Sequence, residues 1–497
     1  RDVYKRQILR VISNKIITTS NLRLGMPHII FLTFLYVGGK KLETIKKNEV
    51  KTGKVIDLTH EGHGVVKVDR YPIFIPNALI DEEIKFKLIK VKKNFAIGKL
   101  IEVISESDDR VTPPCIYYAK CGGCQLQHMT YRAQLDMKRE QVINLFHRKG
   151  PFENTVIKET IGMDNPWRYR NKSQIPVGQS NSNQVIMGFY RQRSHDIIDM
   201  DSCLIQDRQH QEVMNRVKYW LNELNISIYN EKTKTGLIRH LVVRTGYHTD
   251  EMMVIFVTNG ATFKQSELLV NKLKKEFPNI TSIKQNINNS HSNVIMGRQS
   301  MTLYGKDKIE DQLSEVTYHI SDLSFYQINS SQTEKLYQQA LNYAQLTGKE
   351  IVLDTYCGIG TIGLYMAPLA KHVYGVEVVP QAIKDAEDNA TKNQLKNTTF
   401  ECGKAEDVIL TWKSQGIKPG VVMVDPPRKG CDETFLTTLL KLNPKRIVYI
   451  SCNPSTQQRD AQILAEQYEL VEITPVDMFP QTTHIETVAL FVRKDEE

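Results

Sequence analysis

A chain of 497 residues with 41% hydrophobic content is too long for one compact core, and at roughly 100–200 residues per domain it should divide into two to four. A formal net charge of +9 excludes an acidic scaffold and leans weakly toward a polyanionic partner. Eight cysteines are too few for a disulfide-built fold of this length; the clustered ones read as metal ligands in a reducing compartment, which points to the cytoplasm.

In chain order, residues 1–48 form an extension to which no function is assigned. The chain opens on Arg1, and Met26 is a candidate start. The apolar run from Ile29 to Val37 falls short of the roughly 20 residues that a spanning helix needs. Lys40 and Lys41 follow it instead of a small-residue cleavage site, so no membrane association is expected.

Residues 49–105 alternate as short strands over 51–58, 64–68, 71–75, 84–91 and 95–104, the pattern of a small OB-like β-barrel. Lysines 85, 87, 90, 92, 93 and 99 crowd the last two strands. They are either a solvated strand face or an RNA contact on which Phe86 and Phe95 stack bases. Residues 106–320 read as a mixed α+β central domain. It holds a helix over 131–148 with Leu135, Val142, Leu145 and Phe146 on its apolar side. Trp167 to Lys172 and Phe189 to Arg193 pair aromatics with arginines, a composition that suits splayed RNA bases and equally suits strands with alternating faces.

Residues 321–497 alternate strands with helices. A helix over 332–347 stops at Gly348, and strands follow at 350–354, 372–377, 398–402, 420–425, 446–451, 470–474 and 485–492. This pattern predicts an α/β domain with a doubly wound seven-stranded sheet, ending in an antiparallel hairpin.

The ends of these strands carry the chemistry. Asp354-Thr-Tyr-Cys-Gly-Ile-Gly-Thr361 supplies glycines that let a ligand approach the backbone, where open sheets bind cofactors. Its GxG serves dinucleotides and S-adenosylmethionine alike. Glu377, at the end of the second strand, can take ribose hydroxyls. Asp425-Pro-Pro-Arg428 ends the fourth strand in a rigid turn that can hold a flat base beside the Asp425 carboxylate. Ser451-Cys-Asn-Pro454 ends the fifth, so Cys452 stands at the same sheet edge, where the dipole of a helix beginning near Ser455 would favour thiolate. Cys357 lies inside the cofactor loop and ranks lower. Glu486 opens the last strand as a candidate general base. A thiol, a base and a methyl-donor site together suit methylation of uracil carbon 5. The thiolate adds to carbon 6, carbon 5 becomes nucleophilic and takes the methyl, and the base removes the carbon 5 proton. The target base must leave any stack.

Cys115, Cys121 and Cys124 cluster, with Cys203 further on. Zinc and a [4Fe–4S] cluster both accept four thiolates; a single Cys-x-x-Cys leans toward the cluster.

With these motifs, and with Phe325-Tyr-Gln-Ile-Asn329 and His484-Ile-Glu-Thr-Val488, the chain resembles the RNA uracil-5 methyltransferase family over about residues 49–493, within it the bacterial 23S rRNA enzymes of the RumA type. The resemblance implies that the barrel is a TRAM domain. It implies a [4Fe–4S] cluster on Cys115, Cys121, Cys124 and Cys203, structural in role, and S-adenosylmethionine contacts from Gln327, Tyr356, Glu377 and Asp425. It makes Cys452 the nucleophile, Glu486 the base and 23S rRNA the partner, with no protein partner expected. Thr361 stands where some relatives carry Asn. Three rivals are a tRNA uracil-5 methyltransferase, a DNA cytosine-5 methyltransferase (whose nucleophile would follow the fourth strand, where Asp425 stands) and a non-catalytic iron–sulfur RNA-binding protein.

Overall fold

The computed structural model describes residues 45–148 and 150–494. The run from Ile29 to Val37 and Met26 lie outside these residues. From Lys46 onward the chain forms one compact unit.

The first sheet contains β1 (Val50–Lys54), β2 (Asp57–Leu58), β3 (Gly64–Val68), β4 (Tyr71–Ile75), β5 (Glu83–Val91) and β6 (Ala96–Ser105), in the order β1-β5-β6-β4-β3-β2. The strand expected over 51–58 is two. Val55 N–H donates to the Glu82 carbonyl at 2.9 Å and Ile56 N–H to the Val65 carbonyl at 2.9 Å, so the chain changes partner between neighbouring residues and joins the two sheet edges. Val66, Ile73, Ile84, Phe86 and Leu88 fill the interior. This corrects one expectation: Phe86 is fully buried, while Lys85 and Lys87 beside it are exposed, so it cannot stack on a base. Phe95 is half-buried, its ring 5.5 Å from that of Phe74. Phe86→Ala should therefore destabilise the protein by about 3–5 kcal/mol, read as a lower urea midpoint.

Helix α1 (Tyr131–Phe146) is capped by the Thr130 side chain, which accepts from Ala133 N–H. Its buried residues are Gln134, Lys138, Val142 and Phe146; Leu135 and Leu145 of the expected apolar side are only half-buried. β7 (Val156–Ile157) follows.

The central sheet is formed by β8 (Lys172–Gln179), β9 (Val185–Met187), β10 (Ile238–Thr245), β11 (Met252–Thr258), β12 (Ile280–Ile287) and β13 (Gln299–Gly305). Its order is β13-β12-β11-β10-β8-β9. Helices α2 (Arg208–Glu223) and α3 (Ser266–Glu276) bury Val213, Val217, Leu269 and Leu273 against it. The Trp167–Lys172 segment is packing material rather than an open stacking surface. Tyr169 is buried with its hydroxyl donating to the Pro480 carbonyl at 3.0 Å. Arg168 donates to the Cys203 carbonyl at 2.7 Å. In the second pair, Arg191, Gln192 and Arg193 are exposed and the Tyr190 ring stacks on His195 at 5.2 Å. A hairpin of β14 (Ile309–Leu313) and β15 (Val316–Ile320) leads on to α4 (Ser330–Ala344). That helix ends earlier than Gly348, because Gln345 takes the left-handed conformation at φ 50°.

The last sheet contains β16 (Ile351–Thr355), β17 (His372–Glu377), β18 (Thr398–Cys402), β19 (Val421–Val424), β20 (Arg446–Ser451), β21 (Tyr468–Val476) and β22 (Glu486–Arg493). Helices α5 (Thr361–Met366), α6 (Pro380–Lys392), α7 (Ala405–Ser414), α8 (Glu433–Leu442) and α9 (Pro454–Leu464) alternate with the strands. The order is β18-β17-β16-β19-β20-β22-β21-β7. β16 to β20 are parallel; β22 runs antiparallel to both its neighbours. The seven expected strands are all present, with an eighth, β7, added parallel to β21 from far upstream. No helix of the described residues is long and apolar enough to cross a membrane.

Candidate active site

Sheet register brings the site together. Thr355 pairs with Val376 on one side and Val424 on the other, so the next residues, Tyr356, Glu377 and Asp425, end three adjacent strands at one level. Ser451 pairs with Thr487 across β20 and β22. Carried one step further, that register sets Cys452, just past the end of β20, opposite Glu486, whose carboxyl is close enough to act on the thiol.

Burial dominates the electrostatics. Glu486 is 5% exposed, and desolvation with the nearby Asp425 carboxylate pushes its carboxyl well above the usual range. Desolvation pushes Asp425 up to about 7. Cys452 is pushed up to about 11, chiefly by burial; Glu486 and Asp425 add to this and Arg428 opposes it. The thiolate-favouring helix end expected from sequence does not prevail. α9 does begin at Pro454, but its cap is taken by the Asn453 side chain, which accepts from Ser455 N–H at 3.2 Å, and burial, with Glu486 and Asp425 adding to it, holds the thiol up. Asn453 Nδ2 also donates to the Arg428 carbonyl at 3.0 Å, tying the Asp425–Arg428 and Ser451–Pro454 turns together.

Arg428 was quoted within its motif without a role. Its charge acts on Cys452, Glu486 and His484 alike, and the Asp-Pro-Pro-Arg spacing was the signal. Cys357, by contrast, is 4% exposed under the glycine loop, and burial holds its thiol well above the ordinary range.

The cofactor turn has the form its glycines demand. Gly358 and Gly360 take positive φ of 55° and 82°, and a Cβ on Gly358 would meet open space. Asp354 Oδ2 accepts from Gly363 N–H at 2.7 Å, while the buried Oδ1 has no hydrogen-bond partner among the described residues. Burial pushes this carboxyl up to about 8. Glu377 Oε1 accepts from the amides of Val378 and Val379 at 2.8 and 3.1 Å. Tyr356 has φ 64°, and its ring packs 5.4 Å from Phe435, so its main chain rather than its ring borders the turn. Gln327 is buried; its carbonyl accepts from Asn171 Nδ2 at 2.9 Å. An unpartnered buried acceptor beside a turn with open space fits an adenosyl ligand rich in donors.

Cys115, Cys121, Cys124 and Cys203 line one cavity of about 190 Å³, together with Tyr118 and Arg170. Burial pushes Cys124 up to about 12, and the other three thiols add to the shift. No group of three or more His, Cys, Asp or Glu among the described residues could hold a metal ion.

Comparison with known proteins adds an independent line. The family model described as tRNA (Uracil-5-)-methyltransferase matches residues 130–494. An uncharacterised RNA methyltransferase of Staphylococcus epidermidis is 99% identical over 456 residues, covering 92% of this chain and 100% of that protein. One from Staphylococcus aureus is 74% identical over 450 residues, covering 90% and 99%. The solved Pyrococcus abyssi tRNA (uracil-54, C5)-methyltransferase, in complex with S-adenosyl-L-homocysteine, is 30% identical with a TM-score of 0.73, covering 89% of this chain and 99% of that one.

Proposed function

The chain belongs to the RNA uracil-5 methyltransferase family, and from that premise we propose that it forms 5-methyluridine in 23S rRNA through a covalent bond between Cys452 and carbon 6 of the target uracil. Dependence on S-adenosylmethionine comes with the family. When bound, that donor supplies an electrophilic methyl group. Asp354, Glu377, Asp425 and the backbone at Tyr356 would hold it, with Gln327 carried over from the resemblance.

The observation that carries the reading is the register of β20 and β22, which ends at Ser451 and Thr487 and leaves Cys452 and Glu486, the residues beyond that pair, at one sheet edge beside Asp425. Cys452 releases its proton to solvent, the thiolate bonds carbon 6, and the electron pair of the ring's 5,6 double bond moves to carbon 5 and oxygen 4. Carbon 5 takes the methyl group. The Glu486 carboxylate removes the carbon 5 proton, the sulfur–carbon bond breaks, and the thiolate leaves. Arg428 opposes the negative charge that gathers on this path.

The preference for rRNA rests on the barrel and the cysteine quartet seen in sequence. A second reading, a tRNA substrate, is favoured by the family description and by the Pyrococcus relative. Mass mapping of 5-methyluridine in 23S rRNA and tRNA, with and without the gene, separates them. Loss confined to a 23S fragment is expected; loss confined to tRNA would select the second reading.

We also propose that the cysteine cavity takes a [4Fe–4S] cluster, its four thiols closing in from positions in which they do not form a ligand group. Its support is the convergence of four thiols on one cavity. Thiols lining one cavity can give up their protons once a cation balances them. Anaerobically purified protein should contain iron and acid-labile sulfide in equal amounts, and Cys124→Ala should lose both. Zinc without sulfide would overturn this reading.

A further inference from the structure

We infer that the β21–β22 hairpin loop, residues 477–485, is a rigid mount for the catalytic base, and that Lys138 and Asp477 are its positioning residues. The inference rests on the assignment of Glu486 as that base.

Val476 and Glu486 are the register pair that closes this hairpin, so Asp477 leaves the sheet directly opposite the base. A connection of this length ordinarily runs over the surface, where water satisfies its backbone. Here Asp477 and Met478 are fully buried, and Gln481 and Thr482 are 3% and 5% exposed.

The protein supplies what water would. Five consecutive carbonyls accept from four segments of the chain. Asp477 takes Gln332 Nε2 at 3.1 Å, and Met478 takes Asn329 Nδ2 at 3.0 Å. Phe479 takes Lys138 Nζ at 3.4 Å, and Pro480 takes the Tyr169 hydroxyl at 3.0 Å. Gln481 takes the amides of Gln125 and Leu126 at 2.9 and 3.0 Å. Helix α1 grips the same loop with residues spaced along one face. Tyr131 donates to Asp477 Oδ2 at 3.0 Å, Gln134 donates to Gln481 Oε1 at 3.0 Å, and Lys138 Nζ lies 2.6 Å from Asp477 Oδ1.

The Lys138–Asp477 pair is completely buried on both sides. Such a pair is a weak source of stability, since desolvating two charges offsets their attraction. What it fixes is geometry: Lys138 can satisfy its charge only where Asp477 stands, and that residue adjoins the partner of Glu486. Deprotonation of carbon 5 is sensitive to misplacement in a way that RNA docking is not.

The test uses the full chain with both charges removed, Lys138→Met with Asp477→Asn, which retains an acceptor for Tyr131. RNA carrying tritium at uracil carbon 5 reports proton release, labelled donor reports methyl transfer, and a denaturing gel reports the covalent adduct. Within a single turnover, the rate of proton release relative to that of methyl transfer should fall about 10- to 100-fold, with adduct accumulating as it does in Glu486→Gln. Tyr169→Phe, which removes a single tether, serves if the double variant does not fold and should lower the same ratio by a smaller factor. Equal losses in both rates, or no change in their ratio, would overturn the inference. If Glu486→Gln itself accumulates no adduct while Cys452→Ala is inactive, the base assignment fails, and the mount with it.

Discussion

Cys452→Ala should lower methyl transfer by at least about 10⁴-fold while leaving RNA affinity within a few-fold, because an activated covalent route cannot be replaced by positioning alone. The check is twofold. RNA carrying 5-fluorouridine, which has no removable proton at carbon 5, should trap the wild-type enzyme as a denaturant-stable adduct. The variant should give none. An adduct that persists and maps to another cysteine would sink the assignment; Cys357 is the natural suspect, but its burial beneath the glycine turn keeps it from an incoming ring.

Glu486→Gln should show a different signature. Addition and methyl transfer survive, elimination does not, and the adduct accumulates on ordinary RNA with turnover lowered about 10²- to 10⁴-fold. A stability effect accompanies this. Burial and Asp425 raise the Glu486 carboxyl in the folded protein, whereas in the unfolded chain it ionises near about 4.3. The folded state thus holds its proton more tightly, and the resulting stability is full below the unfolded value and is lost as pH rises toward the folded one. Glutamine removes that loss. The variant should melt above the parent at pH 8, and the gap should close as pH falls toward 4. A gap that widens on acidification would mean that the carboxylate is stabilised in the fold and is not poised as a base.

Much of the C-terminal half was legible because its inner strands, such as Val421–Val424 and Arg446–Ser451, are short apolar runs buried on both faces. Glu377, Asp425 and Cys452 follow such runs directly. The alternation Lys85-Phe86-Lys87-Leu88 already contained the fate of Phe86: if the lysines face water, the phenylalanine faces the core. What stayed hidden was polar. α1 buries Gln134 and Lys138 in line with Val142 and Phe146, and a search for apolar spacing passes over a face that is half hydrogen-bonding groups. β7 has only two residues, too few to show a period. The Asp-Pro-Pro-Arg spacing marked Arg428, but its reach over Cys452 and Glu486 shows only when the two strand ends meet.

That borrowed strand has a practical consequence. Val156 and Ile157 lie along Glu472 and Ile473, and the amides of Lys158 and Ile161 continue the seam to the carbonyls of Ile473 and Pro475. A fragment cut at residue 321 would therefore start life with the flank of Tyr468–Val476 stripped of its cover and offering open hydrogen-bonding groups to any passing chain. Such a piece should associate with itself and precipitate, whereas one that also carries residues 130–161 should stay dispersed.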